Sequence, residues 1–266
     1  TGTIGFVPTL GALHYGHLSL VKQSNNICQN TVVSIYLNPT QFAPHEDLDT
    51  YPKTIDSDIE KLTNYKTDCI FLPNDSEMYP QGFKSQVKVT ELSQVLEGKS
   101  RSHFFQGVTC IISKLFNIIY PTHAFFGEKD AQQLLCIQQM VKDFNFPIKI
   151  ISCPIVREEN GLAMSSRNQY LSNKEYQKAS AIFQALQVGQ SQLIAGGNNA
   201  QAVRDQITKK ISSESSLVID YVSVADNQTL EEITSEIQGD VLVSVAVYLS
   251  EVRLIDNFSY SVSSIR

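Results

Sequence analysis

Five short apolar runs, at residues 4–7, 31–37, 68–72, 123–126 and 148–153, alternate with stretches of helical period. Runs this short, rich in Val, Ile and Phe and bounded by Gly or Pro, read as strands buried on both faces. Pro8 is expected to end the first and Pro73 the third. Between them, Leu18, Val21 and Cys28 share one helical face, as do Ile55, Ile59 and Leu62 over about 55–66. Val108, Ile111, Ile112, Leu115, Phe116 and Ile119 make a helix over 108–120 apolar enough to be buried, and Ala131–Phe144 supplies another. Gln86 to Val89 alternates and is expected to add a small strand. Strands alternating with helices give a parallel sheet with helices on both faces and right-handed crossovers. The fold class is therefore α/β, with a Rossmann-like sheet.

After Arg157 the texture changes. Glu158-Glu159-Asn160-Gly161 is a polar turn. Ser172-x-x-Glu175 is a capping box opening a helix over about 173–194, and Gly196-Gly197 breaks it. A helix over 200–212 follows, then strands at 218–225 and 241–249 and a short one at 252–255. The chain thus divides into residues 1–156 and a smaller α+β domain, 157–266.

Charge and cysteine usage narrow the function classes. A net charge of −6 argues against sequence-independent nucleic-acid binding, and it means that a polyanionic substrate needs a local cationic cluster. No apolar run reaches the roughly 20 residues of a membrane span. Cys28, Cys69, Cys110, Cys136 and Cys153 show neither metal-ligand nor disulfide spacing, so they read as small buried hydrophobes in a reducing cytoplasm. Thr1 opens the chain almost directly on a strand, and a lead-in segment is expected in the natural protein.

In parallel sheets ligands bind beyond the carboxyl ends of the strands. Three polar motifs follow strands, at 8–17, 38–42 and 127–133, and the topology is expected to gather them in one crevice. In the first, Gly11 permits close backbone approach, and His14 and His17 sit three apart at a helix start, where unpaired N–H groups and the helix dipole favour a phosphate. In Gly127-Glu128-Lys129-Asp130, Lys129 is a point charge for phosphate and Asp130 an acceptor for ribose hydroxyls, or a helix cap. Ser165-Ser166-Arg167 offers two hydroxyls and a guanidinium to the outer phosphates of a triphosphate, or is a polar loop before a helix. The amides Asn38, Gln41 and Gln133 can orient a small polar substrate with Phe42 against its apolar part, or serve as turn caps. Glu97-Gly98-Lys99-Ser100-Arg101 reads either as a solvated loop or as a lid bringing Arg101 over the phosphates.

Taken together, Val7–Leu18, Asn38-Pro-Thr-Gln-Phe42, Phe126–Leu134 and Val156–Asn168 resemble the pantoate–β-alanine ligases (pantothenate synthetases) of the His-x-Gly-His nucleotidyl-transferase-like superfamily. Leu254-Ile-Asp-Asn257 is similar to that family too, so the resemblance spans nearly the whole chain. It implies a cytoplasmic, homodimeric enzyme that adenylates pantoate with ATP and then passes the pantoyl group to β-alanine, with Mg²⁺ held mainly by phosphate oxygens and no protein metal site. It further implies that Leu10, Gly11, Ala12, Leu13, His14, Tyr15, Gly16 and His17 line the ATP site. His17 would be the proton donor, and His14 would help hold the phosphates. Lys129, Ser165, Ser166 and Arg167 would stabilise the pentacoordinate phosphorus and the leaving pyrophosphate. Gly127, Glu128 and Asp130 would hold the ribose side, and Val156 and Met164 the adenine. Gln41 and Gln133, with Asn38 and Phe42, would bind pantoate. Asp56 and Asp58 stand as outer carboxylates toward the ion.

Two positions depart from the family pattern. Leu10 stands where Met is usual, and the family's Arg-Pro-Gly-His-Phe-x-Gly-Val is here Arg101-Ser-His-Phe-Phe-Gln-Gly-Val108, its histidine displaced by one. Two rivals differ in kind: a nucleotidylyltransferase acting on a phosphorylated substrate, and a non-catalytic nucleotide-binding protein. The first needs a cationic pocket where this chain has Gln41, Phe42 and Gln133; intact His17, Lys129 and Arg167 argue against the second.

Overall fold

The computed structural model describes residues 2–43, 46–101 and 103–262. Its contacts fall into two compact units, Thr1–Val156 and Arg157–Arg266.

The first unit runs β1 (Ile4–Thr9), α1 (Tyr15–Ile27), β2 (Asn30–Ile35), α2 (Ile55–Asn64), β3 (Cys69–Phe71), α3 (Asp75–Met78), α4 (Glu97–Ser100), α5 (Phe104–Ile119), β4 (His123–Gly127), α6 (Ala131–Asp143) and β5 (Lys149–Cys153). All neighbouring strands are parallel, in the order β3-β2-β1-β4-β5. Side chains alternate across this sheet. Phe6, Ala124 and Phe126 join the core formed with α5 and α6, while Val7, Val33 and Phe125 join the core under α1 and α2. Both faces are covered, as the unbroken apolar runs require. The order reverses between β1 and β4, and there the loops after the two strands part and leave a crevice.

Three details differ from the sequence reading. Strand β1 continues through Pro8 to Thr9. Ile4 has both its amide and its carbonyl on Thr122, at the β4 side. Two residues per repeat put Pro8 on that same side, where pairing with β4 covers only Gly5 and Phe6, so its missing N–H breaks no ladder bond. Residues 86–89 form no strand: Val89 is buried, and the Val87 carbonyl accepts from the Thr109 hydroxyl at 2.6 Å instead of from a ladder. Four cysteines are buried and free, but Cys69 is exposed.

The second unit packs α7 (Asn173–Ile194) and α8 (Ala200–Ser212) on an antiparallel sheet of β6 (Leu217–Asp226), β7 (Val241–Leu249) and β8 (Val252–Tyr260). The capping box forms as read: Ser172 Oγ accepts from Glu175 N while the Glu175 carboxylate accepts from Ser172 N. Strand β8 is longer than expected, because Asp256 and Asn257, whose polarity argues for an end, are buried and continue the pairing with β7. No helix among the described residues is long and apolar enough to cross a membrane.

Candidate active site

The loop from β1 to α1 turns on Gly11 and Ala12, at φ +88° and +50°. Ala12 accepts the left-handed backbone, which costs a non-glycine residue about 1 kcal/mol, while its methyl joins a small apolar cluster with Phe42 and Tyr51. The loop then delivers His14 to the N-cap of α1. His14 Nδ1 accepts from Gly16 N at 3.1 Å, and His17 Nδ1 accepts from His14 N at 3.3 Å. The two rings are tilted by 39° to each other, with centroids 4.1 Å apart.

This reciprocal cap differs from the expected site. Two of the backbone donors at the helix start are consumed internally, so they do not face a phosphate. A backbone N–H can only donate, so both Nδ1 atoms are unprotonated and each neutral ring carries its hydrogen on Nε2. The cap thus exchanges backbone donors for two imidazole donors fixed in one tautomer.

Burial, the neighbouring His17, and Lys129 and Lys61 hold His14 at about 3, against an ordinary 6.5, with Asp130 opposing. Burial, then Lys129 and Lys61, hold His17 at about 4. Near neutral pH both rings are uncharged donors; giving up a whole proton, the role that the resemblance assigns to His17, would need an imidazolium. The unfolded chain takes up protons more readily than the folded one, so the contribution of the neutral pair is complete above about pH 6.5 and is lost as pH falls from there through about 4 for His17 and about 3 for His14. In an NMR titration the ring protons of both residues are expected to stay flat from about pH 8 to about pH 5; a midpoint near 6.5 for either ring would contradict this environment.

Lys129 lies on the single helical turn Glu128–Asp130 after β4. It follows β4, the neighbour of β1 in the sheet, and its charge is among those that hold both imidazoles neutral. It pairs loosely with exposed Asp130, at 3.8 Å. Gly127 has nothing within 4 Å of where a Cβ would stand, leaving room against its backbone.

After β2, Asn38 caps the turn Pro39–Gln41. Asn38 is fully buried and its amide is spent within the protein. Nδ2 donates to Gln41 Oε1 at 2.8 Å and to Gly107 O at 3.2 Å, and Oδ1 accepts from the Tyr79 hydroxyl at 2.8 Å. Asn38 therefore orients Gln41 and leaves the Gln41 NH₂ as the group to offer a ligand. Gly107 lets α5 approach this turn: a Cβ there would stand 2.5 Å from Thr40 O. Phe42 is buried edge-on against Tyr51. On α6, Gln133 is half-buried, whereas Gln132 is buried and ties the helix to Leu92 O, Val95 O and Glu97 N.

Arg101 is engaged as a bidentate partner of Glu46, at 2.7 and 2.9 Å, with its guanidinium 4.1 Å from the Phe104 ring centre, so the expected reach over phosphates is not what this side chain does here. The same pairing holds the Glu46 carboxyl below its ordinary range, against the effect of burial. Ser102, in the stretch that departs from the family pattern, lies outside the described residues. The displaced His103 starts α5 without a side-chain cap, and its Nε2 is buried with no hydrogen-bond partner among the described residues.

In the second unit, Ser165 Oγ caps the turn Ser166–Tyr170 through Arg167 N at 3.3 Å, and Met164, Ser166 and Arg167 are half-buried. Val156 closes the first unit, half-buried.

Asp58, expected as an outer carboxylate toward the ion, is placed otherwise by the structure. The buried side of α2 is set by Asp58 and Leu62, and Ile55 is exposed. The Asp58 carboxylate accepts from Ala12 N and Leu13 N, both at 2.8 Å, and from the Thr54 hydroxyl at 3.1 Å, while Lys61 Nζ donates to Leu13 O at 2.8 Å. It holds the chain's own loop and is not an outer carboxylate awaiting an ion. Its only sequence signal is a polar residue recurring at a core position, masked by the ordinary enrichment of Asp in a first helical turn. Among the described residues no three His, Cys, Asp or Glu side chains gather to hold a metal.

Paired neutral imidazoles, a lysine whose charge bears on them and an oriented amide thus follow β1, β4 and β2, three adjacent strands of the parallel sheet. The family model described as pantoate-beta-alanine ligase matches residues 1–259. The pantothenate synthetase of Acetivibrio thermocellus is 49% identical over 254 residues, spanning 96% of this chain and 90% of the relative; that of Thermotoga petrophila is 46% identical over 255 residues, spanning 96% and 91%. A crystal structure of pantothenate synthetase from Thermus thermophilus superposes with a TM-score of 0.93 at 38% identity, covering 96% of this chain and 92% of that one. The Francisella tularensis pantoate-beta-alanine ligase, complexed with beta-gamma ATP and beta-alanine, superposes at 0.80 with 35% identity, covering 97% and 89%. With strand order, motifs and overall similarity in accord over nearly its full length, this chain belongs to the pantoate–β-alanine ligase family.

Proposed function

We propose that the chain condenses pantoate with β-alanine at the expense of ATP. A pantoate carboxylate oxygen attacks the α-phosphorus, the bond to the bridging oxygen breaks, and pyrophosphate departs. The β-alanine amine then attacks the pantoyl carbon, the acyl–phosphate bond breaks, a proton leaves the nitrogen, and AMP is released. The adenylate is itself the activated acyl group, so no enzyme nucleophile is needed. The protein's work is positioning and charge stabilisation.

What supports this reading is that the loops after the neighbouring strands β1 and β4 carry two imidazoles whose Nδ1 atoms are capped, leaving Nε2–H as the donor of each, and a lysine whose charge bears on both rings. In this reading the two donors and Lys129 meet the phosphates, with the loop Leu10–Leu13 and residues Tyr15 and Gly16 alongside. Gly127, Glu128 and Asp130 take the ribose side, and Val156 and Met164 the adenine. Ser165, Ser166 and Arg167 are the phosphate ligands of the second unit. Mg²⁺ comes with ATP as part of the substrate, on phosphate oxygens. Gln41 and Gln133 hold pantoate, Phe42 lies against its branched carbon, and Asn38 sets the Gln41 amide. The proposal carries with it a homodimer and a cytoplasmic place of action, both resting on family resemblance; light scattering on the purified chain reads the first.

Exchange of labelled pyrophosphate into ATP tests the reaction. Exchange that requires pantoate supports the ligase. Exchange that requires a phosphorylated acceptor instead favours a nucleotidylyltransferase, and none with any acceptor favours a binding protein. Gln133→Ala is expected to raise KM for pantoate by about tenfold, the worth of one lost hydrogen bond to a charged group, with KM for ATP unchanged. A rise confined to ATP would move the acid-binding slot elsewhere.

A further inference from the structure

Successive residues at φ +88° and +50° turn the amides of Ala12 and Leu13 toward one point, the geometry of a backbone anion nest. In a nucleotide-binding loop such a nest is the natural seat for a phosphate. Here it is filled from within: Asp58, fully buried on α2, puts Oδ2 on Ala12 N and Oδ1 on Leu13 N. Thr54 Oγ1 donates to the same carboxylate, and Lys61 closes the ring, with Nζ on Leu13 O and 3.6 Å from Asp58 Oδ1. The next residue along the chain is His14, whose backbone amide and Nδ1 both belong to the reciprocal cap.

We propose that Asp58, buttressed by Lys61, is a positioning residue for adenylation: by occupying the Ala12–Leu13 nest it fixes the direction in which the His14 and His17 Nε2–H groups point. It acts through geometry. The charges that bear on both imidazoles are Lys129 and Lys61, with His17 and Asp130 acting on His14 in addition, and Asp58 is not among them. Filling the nest also prevents a triphosphate from sliding onto the backbone amides and keeps it at the imidazole and lysine donors. Preorganisation of this kind acts by holding supporting groups in one arrangement before substrate arrives.

The inference rests on the ligase reading for its kinetic arm, and the test has a second arm that does not. In Asp58→Asn one carboxylate oxygen becomes an NH₂ facing a backbone N–H, so only one of the two amides can stay bound. With the full chain, pantoate-dependent pyrophosphate exchange is expected to lose at least about tenfold in kcat, as misplaced donors do, with KM for pantoate within about twofold. Independently, long-range ¹H–¹⁵N spectra of the substrate-free protein are expected to show His14 and His17 protonated at Nε2 alone in the unaltered chain and as mixed tautomers in Asp58→Asn. A lowered melting temperature with kcat and both imidazole patterns unchanged would overturn the proposal. Should Asp58→Asn fail to fold, Lys61→Met, at a partly exposed side chain, decides: loss of kcat with mixed tautomers supports it, and unchanged kcat and tautomers overturn it. If the unaltered chain shows no exchange, the ligase reading fails while the spectra still decide the clamp.

Discussion

Lys129→Ala is expected to lower the rate of pantoyl adenylate formation by about 2–4 kcal/mol of transition-state stabilisation, a factor on the order of 30 to 1,000. The size follows from what else stands at the phosphates in the first unit. Both imidazoles are neutral there, so they donate hydrogen bonds without cancelling charge. Lys129 supplies charge that no neighbouring histidine replaces, and its side chain is only 19% exposed, so solvent screens it weakly. Charge builds on the leaving pyrophosphate as the α-phosphorus bond breaks, so kcat should fall more than KM for ATP rises. A second readout comes from the same charge. Lys129 helps to hold both histidines down, so in Lys129→Ala their midpoints should move up toward 6.5, with burial still opposing. Unchanged turnover, or unmoved histidine midpoints, would separate the lysine from the site.

Much of the fold is legible in the sequence because it rests on patterns with a period. Apolar runs bounded by Gly or Pro mark the five parallel strands, and the alternation with helices sets their direction. The pattern misleads where a polar group is buried against a specific partner, since no periodicity marks that. In the sequence, Asp58 reads as an outer carboxylate toward the ion, and Asp256 as lying past the end of a strand. Each is in fact a core residue made tolerable by two or more donors. Pro8 misleads for a related reason: whether a missing N–H matters depends on which neighbour it faces, and that is a property of register.

Adjacent glutamines show the same boundary within the candidate site. Gln132 and Gln133 are chemically identical and side by side at the start of α6. A helix turns about 100° per residue, so one is buried and the other only half-buried. The structure commits Gln132 to three backbone groups of the 92–97 turn. Asn38 and Gln41 divide in the same way, the first consumed in holding the second. The sequence reading names Gln133 and passes over Gln132, and it sets Asn38 beside Gln41 as an equal; the hydrogen bonds of each amide show that Asn38 is consumed within the protein.

Asp256→Ala is expected to destabilise the second unit by about 3–5 kcal/mol, the cost of leaving one partner of a buried ion pair alone. The alternative magnitude, at most about 1 kcal/mol, belongs to exposed pairs, and the exposures decide between them: the Asp256 side chain is 1% exposed and that of Arg157 22%. The pair is bidentate, at 2.6 and 3.0 Å, and Asp256 Oδ1 also accepts from Asn257 N. Arg157 in turn donates to Gly161 O at 3.0 Å and lies 4.2 Å over the Phe183 ring. That ring leaves no space for a side chain at residue 161, where a Cβ would stand 2.3 Å away and φ is +89°. The ion pair thus clamps the hairpin 157–163 to β8, and the chain leaving that hairpin carries Met164, Ser165, Ser166 and Arg167. The chain has no tryptophan, so the loss should be read by far-UV circular dichroism in urea. Asp256→Asn, which keeps the shape and one acceptor, should cost less than Asp256→Ala. A shift of under about 1 kcal/mol for Asp256→Ala would mean that water reaches Arg157 and that the clamp contributes no more than a surface pair.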